Sequence, residues 1–347
     1  MRKNHSNMED TIMKKISVLG AGSWGTALAM LLEENGHEVT IWSIDKKEVE
    51  MLRKEREQKD KLPGVKLSDN IQVTNNLEEA MKGREILVFA VPSVFVRSTA
   101  RSAAPFYEKG QVIVDVAKGI EESTLMRLSE IIEDEIKGAT VAVLSGPSHA
   151  EEVARKIPTI VVVGSEDYAI AKELQKTFSN GWFRVYTSPD VLGIELGGAL
   201  KNVIALAAGI CDGLNFGDNS KAALITRGVA ELSRLGVAMG GKPETFSGLS
   251  GIGDLVVTCT SVHSRNHNAG VLIGQGKTMQ EAMDEVKMVV EGVYSAKAAL
   301  LLATQYNVEI PIIEQVNEVL FYNKPARDAV TDLFMRDSKR EHEDLSW

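Results

Sequence analysis

Three stretches of the chain combine residue types and spacings that can do chemistry. Gly20-Ala21-Gly22-Ser23-Trp24-Gly25 is a G-x-G-x-x-G turn between an apolar run at 16–19 and an amphipathic stretch from Thr26. In that setting Gly20 permits a tight turn, Gly22 lets a pyrophosphate approach the backbone, and Gly25 lets helix and strand pack closely. The free N–H groups at the helix start then face the phosphates, which makes this a dinucleotide site. Asp45 follows at about 20 residues, where an acid commonly takes the ribose 2′-OH of NAD. Lys46 and Lys47 come next and suit a 2′-phosphate, so the choice between NAD and NADP stays open.

The second stretch is 194–208, apolar nearly all round except for Glu195, Lys201 and its neighbour Asn202. An isolated ammonium in such a helix must reach a polar cleft or find a partner, or its pKa falls. A lysine lowered in this way can give and take a proton near neutral pH. Pairing with Glu195 or Asp190, or snorkelling to the surface, is the purely structural alternative.

The third stretch holds Ser250-Gly251-Ile252-Gly253-Asp254-Leu255 and, shortly after, Ser264-Arg265-Asn266 before a helical pattern. A guanidinium beside a helix N-terminus is an anion site in an otherwise acidic chain. A zinc reading competes for the same residues. On one continuous helix Cys259, His263 and His267 would share a face, with Asp254 as a fourth ligand, although the glycines at 251 and 253 favour a loop.

These groups need elements to hold them. Val- and Ile-rich runs at 16–19, 39–42, 86–90, 112–116, 141–144 and 160–163 alternate with helical patterns at 26–34, 77–81, 95–103 and 124–135. The runs lack polar alternation, as strands covered on both faces of a parallel sheet do. The order predicts a Rossmann-like, doubly wound α/β domain whose ligand crevice lies beyond the carboxyl ends of its strands. After this the pattern changes. Ser188 reads as an N-cap and Pro189 as a first helical residue, followed by helical spacing to 212 and again at 222–239, 268–274, 279–286, 295–306 and 312–320. The expected organisation is a disordered lead (1–13), an α/β dinucleotide domain (14–189) and an all-α substrate and catalytic domain (190–347).

Composition narrows the class. The chain has 347 residues, enough for two domains, and a formal charge of −9, so no general basic field draws it to nucleic acid or anionic lipid. Cys211 and Cys259 are too few for a secreted disulfide framework and point to free thiols in a reducing cytoplasm. The polar N-terminus is no secretory signal, and the apolar stretch 191–210 is broken by Glu195, Lys201, Asn202 and three glycines. Both features predict a soluble protein that does not insert in a membrane.

Taken together, the motifs resemble the NAD(P)-dependent glycerol-3-phosphate dehydrogenases of the bacterial type. The resemblance runs from about Lys15 to Leu333. It rests on the glycine-rich turn, Val91-Pro92-Ser93, Ala117-Lys118-Gly119, Ser145-Gly146-Pro147-Ser148, Gly197-Gly198-Ala199-Leu200-Lys201-Asn202, Gly251-Ile252-Gly253-Asp254-Leu255, Ser264-Arg265-Asn266 and Val289-Val290-Glu291-Gly292, in the family's order. It implies reversible reduction of dihydroxyacetone phosphate to sn-glycerol 3-phosphate by NAD(P)H, feeding glycerophospholipid synthesis. By the same resemblance Lys201 is the proton donor and acceptor, placed by Asp254. Lys118 lies between cofactor and substrate, Gly146 and Ser148 touch substrate, and Ser264, Arg265 and Asn266 clamp its phosphate. Ser23, Trp24, Ala150 and Arg265 meet the dinucleotide, with Val289 and Glu291 closing over it. No metal is required, and homodimers are common among such enzymes, although the sequence itself sets no oligomeric state. Many members place His or Arg before the acid after the second strand. Ile44 stands there in this chain, which makes use of NADH plausible.

Two further readings remain open from sequence. One is another two-domain dehydrogenase of β-hydroxyacid or 6-phosphogluconate type, which also carries a catalytic lysine. The other is a nicotinamide-binding sensor without turnover.

Overall fold

The computed structural model describes residues 12–338, 340 and 341, so most of the expected N-terminal lead lies outside the described residues. Eight strands form one sheet: β1 (Lys15–Leu19), β2 (Glu38–Trp42), β3 (Gln72–Thr74), β4 (Ile86–Phe89), β5 (Val112–Asp115), β6 (Thr140–Ser145), β7 (Thr159–Gly164) and β8 (Phe183–Ser188). Their order is β3-β2-β1-β4-β5-β6-β7-β8. The connecting helices are α1 (Ser23–Glu34), α2 (Lys46–Glu55), α3 (Leu77–Met81), α4 (Val96–Ala103), α5 (Leu128–Glu135), α6 (Ala150–Val153) and α7 (Tyr168–Phe178). All six apolar runs are strands, buried except at the exposed Ile160 and the partly buried Ala90, Val112 and Val141. The inward turn from β1 places Leu19 between Trp42 of β2 and Phe89 of β4.

The sheet is mixed rather than all-parallel, because β7 runs antiparallel to β6. A parallel return needs a crossover long enough to travel back along the sheet. Helix α6 has four residues and advances only about 6 Å, so the chain turns and comes back the other way. Helix α5 also starts later than its pattern suggests. Leu125 takes a left-handed φ of 61° and Arg127 is the N-cap, which leaves 124–127 outside the helix.

The remainder is helical: α8 (Val191–Gly213), α9 (Asp218–Ala238), α10 (Pro243–Phe246), α11 (Asp254–Thr260), α12 (Arg265–Gly274), α13 (Met279–Val286), α14 (Glu291–Tyr306), α15 (Pro311–Phe321) and α16 (Ala326–Phe334). Ser188 is not the cap of α8. It still pairs with Gly164 in β8, and the Asp190 carboxylate takes the Gly193 N–H at 3.0 Å instead. Helix α8 is long and apolar enough to cross a membrane, but nine-tenths of that stretch is packed inside the protein. Helices α9, α11, α12, α14 and α15 surround it, so its apolarity is that of a core helix.

Candidate active site

The glycine-rich turn connects β1 to α1 at the carboxyl edge of the sheet. Gly20 has φ 123°, and a Cβ there would lie 2.5 Å from Ala90 O, so no other residue fits. A Cβ on Gly25 would lie 2.0 Å from Gly20 O, which is the close helix–strand contact the motif requires. Gly22 differs: its Cβ would meet nothing within 4 Å, and it caps α1 without any side chain taking the first N–H groups. Open space over unclaimed N–H donors fits a pyrophosphate. Ser23 and Trp24 begin α1 beside that space and are partly buried.

Asp45 follows β2 as N-cap of α2, its carboxylate accepting from Lys47 N at 2.8 Å. Ile44 is 82% exposed at the same corner. Beneath it Glu48 is buried and takes hydrogen bonds from Ser43 Oγ, Gln58 Nε2 and Lys61 Nζ. Gln58 also donates to Ala21 O at 2.6 Å, tying this corner to the glycine-rich turn.

The centre of the cleft is a buried carboxylate between two ammonium groups. Asp254 Oδ1 accepts from Lys201 Nζ at 2.7 Å and Asp254 Oδ2 from Lys118 Nζ at 2.5 Å. Three elements bring these groups together. Lys201 lies in α8, Lys118 follows β5, and Asp254 opens α11 after a wide turn at Leu249–Gly253. Gly197 makes the approach possible, because a Cβ there would sit 2.6 Å from Ser250 O in that turn. Lys118 Nζ also reaches Gly146 O at 3.2 Å, and Ser148 Oγ donates to the same carbonyl at 3.0 Å. Ala150 is buried at the start of α6, just beyond.

Burial pushes the Lys201 ammonium down to about 8; attraction to Asp254 only partly offsets it, and the Lys118 charge adds to the fall. Burial opposes ionisation of Asp254 as well, but the two lysines override it and hold the carboxyl below its ordinary range. Thr258, which sequence reasoning missed, takes a further hydrogen bond from Lys201 Nζ at 2.6 Å. The available signal was its position one helical turn after Asp254, hidden because the glycines made the segment look like a loop.

Neither structural alternative for Lys201 holds. Glu195 is taken by Arg127 and Ser129, and Asp190 by its own helix cap together with Lys242 N and Thr245 Oγ1. The zinc reading fails on geometry. Cys259 lies in the last turn of α11, His263 in the following turn and His267 in α12, so no common helix face exists. His267 Nε2 is 2.7 Å from Asp212 Oδ2, and burial pushes the Cys259 thiol up to about 12. His263 instead meets the His149 ring at 6.0 Å.

Ser264 caps α12, its Oγ accepting from His267 N. Asn266 is buried and bridges two helices: its Oδ1 accepts from Gly292 N at 2.8 Å and its Nδ2 donates to Asn202 Oδ1 at 2.9 Å. Arg265 is partly exposed and reaches Val289 O at 3.4 Å, leaving most of its guanidinium donors uncommitted among the described residues. Glu291 is held by the N–H and Oγ of Ser93 across the cleft. A separate groove of about 1270 Å³ lies between α9, α15 and α16 and shares no residue with this centre.

Residues 15–171 match the N-terminal family model of NAD-dependent glycerol-3-phosphate dehydrogenase, and residues 190–331 match the C-terminal model of the same family. A glycerol-3-phosphate dehydrogenase (NAD(P)+) of Agathobacter rectalis is 62% identical over 335 residues, covering 96% of this chain and all of its own. The Bacillus subtilis protein of that name is 51% identical over 336 residues, covering 96% and 97%. The crystal structure of glycerol-3-phosphate dehydrogenase from Coxiella burnetii superposes with a TM-score of 0.90 at 36% identity, covering 93% of this chain and 99% of that one.

Proposed function

Because the chain belongs to the NAD-dependent glycerol-3-phosphate dehydrogenase family, we propose that this cleft reduces dihydroxyacetone phosphate to sn-glycerol 3-phosphate, reversibly, with NAD(P)H. The observation that carries the reading is the Lys118–Asp254–Lys201 centre: two ammoniums on one buried carboxylate, next to a glycine-rich turn open for a pyrophosphate. The nicotinamide supplies the hydride when bound.

Lys201 then does the proton chemistry. As the carbonyl becomes an alkoxide, the Nζ ammonium stabilises the developing charge and delivers its proton to that oxygen; with a pKa near 8 it can also accept one in the reverse direction. Asp254 and Thr258 fix the direction of Nζ, and Lys118 adds a second positive charge. Arg265 supplies the charge that holds the substrate phosphate, with the N-terminal N–H groups of α12 beside it. Holding the phosphate away from the reacting carbon positions the carbonyl without stabilising the ground state at that carbon. Gly146 and Ser148 border the substrate, and Ser264 and Asn266 support the phosphate loop through the bonds already described. Ser23, Trp24, Asp45, Ala150 and Val289 line the path of the dinucleotide.

In this reading 14–189 binds cofactor and 190–347 supplies catalysis. The enzyme works in the cytoplasm without inserting in a membrane, and its product enters glycerophospholipid synthesis. The groove between α9, α15 and α16, rimmed by exposed Val237 and Phe334, offers apolar surface for a homodimer contact. Relatives at 51% and 62% identity carry the glycerol-3-phosphate dehydrogenase name, which disfavours the β-hydroxyacid type and the sensor.

Loss of nicotinamide absorbance tests the assignment. Purified protein should oxidise NADH or NADPH with dihydroxyacetone phosphate and not with dihydroxyacetone. Cofactor binding without turnover on the phosphorylated substrate would overturn it.

A further inference from the structure

We propose that the corner after β2 selects NADH over NADPH, with Asp45 and the buried Glu48 as the residues that set the choice. The inference rests on the activity assigned above and carries it to one cofactor. NADP differs from NAD by a phosphate on the 2′-oxygen of the adenosine ribose, and in this fold that ribose meets the end of the second strand. The chain ties that end to the glycine-rich turn twice. Gly20 N donates to Trp42 O at 2.8 Å, and Gln58 Nε2 donates to Ala21 O at 2.6 Å while also holding Glu48.

A 2′-phosphate needs a cation or unclaimed N–H and O–H donors. At this corner the donors are spent on Glu48 instead. Ser43 Oγ donates to Glu48 Oε2, while Gln58 Nε2 at 2.7 Å and Lys61 Nζ at 2.6 Å both donate to Glu48 Oε1. Glu48 is only 8% exposed, so its charge is poorly screened by water, and the Lys61 ammonium is consumed in balancing it. The start of α2 closes the other route. A helix N-terminus is an anion site, but here the Asp45 carboxylate already fills it, accepting from Lys47 N at 2.8 Å. A phosphate brought to this place meets like charge. A ribose hydroxyl meets an acceptor, because Asp45 Oδ2 takes no hydrogen bond among the described residues. Ile44, between Ser43 and Asp45, has no side-chain donor to offer. Lys46 and Lys47 are exposed at the first turn of α2, where water and salt screen their charges and long flexible stems weaken what they add.

The test reads binding rather than turnover and separates the corner from the nicotinamide. Calorimetry compares ADP-ribose with 2′-phospho-ADP-ribose on the full chain, and nicotinamide fluorescence compares NADH with NADPH. In both pairs the wild type is expected to bind the form with a free 2′-hydroxyl about 10-fold more tightly or better, the scale of a like-charge clash built against the rejected ligand. Glu48→Gln keeps the length of the side chain, removes its charge and releases the Lys61 ammonium, so the ratio should narrow about 10-fold, chiefly through tighter binding of the 2′-phosphorylated forms. Asp45→Asn keeps a good cap and removes the other charge, and should narrow the ratio about 3- to 10-fold. Equal affinities in the wild type, or a preference for the 2′-phosphorylated forms, would overturn the proposal, as would a ratio that both variants leave unchanged. If Glu48→Gln does not fold, Asp45→Asn, altered at an exposed position, decides alone: a narrower ratio supports the proposal and an unchanged one overturns it. Turnover distinguishes the two levels of the reading. A wild type that selects NADH but leaves dihydroxyacetone phosphate unreduced overturns the activity assignment and not the selection, whereas one that reduces it while binding both cofactors equally overturns the selection alone.

Discussion

Helix α8 buries two charged side chains six positions apart, and they do opposite work. Glu195 is met by Arg127 Nη1 at 2.6 Å, Ser129 Oγ at 2.7 Å and Ser129 N at 2.9 Å, and the same guanidinium also reaches Glu130 Oε1 at 2.8 Å, so two carboxylates meet one guanidinium. Lys201 shares the Asp254 carboxylate with Lys118, so two positive groups meet one negative group. Burial shifts both, Glu195 upward and Lys201 downward to about 8. A buried carboxylate whose two oxygens are taken by three donors fixes structure. A buried ammonium that must share its counter-charge keeps a proton that can move.

The strongest way to break this contrast is Lys201→Ala. It should lower kcat by about 10³-fold or more, the scale of losing both an acid–base group and a charge at the reacting oxygen, while NADH binding persists. A small loss would return Lys201 to a structural role. On the other side, Arg127→Met leaves Glu195 buried without its cation and should cost roughly 3 kcal/mol of stability, read by denaturant unfolding. Adding Glu195→Leu should recover part of that loss, because an apolar pair needs no counter-charge. kcat of the folded fraction should stay near the wild type in both. Thr258→Val is the gentlest probe. Removing one acceptor of the Lys201 ammonium should cost kcat about 3- to 10-fold and move its titration to lower pH, whereas an unchanged profile would make Thr258 a helix-packing residue only.

What could be read from sequence follows from how local each feature is. The glycine-rich turn spans six consecutive residues whose spacing is its function, so its context in β1 and α1 was legible. Lys201 announced itself as the lone lysine in an apolar helix. The partners of Lys201 did not, because Asp254 is 53 positions away and lies a further 136 from Lys118; only the family resemblance joined them. The Ser93–Glu291 contact, 198 positions apart, has no local signature at all. Among the strands, continuous apolar runs pointed to the central ones. β8 escaped because its exposed residues alternate along an edge, and β3 because three residues carry too little pattern. The antiparallel turn of β7 depends on the shortness of α6, which periodicity does not reveal.

The most direct test of Lys201 as the moving proton is the pH dependence of kcat in both directions. Reduction needs the ammonium, so its rate should hold at lower pH and fall as pH rises through about 8; oxidation needs the free amine and should rise through the same value. Those limbs should vanish from the residual activity of Lys201→Ala. A reduction rate flat through that range, or a limb that survives in Lys201→Ala, would contradict the assignment.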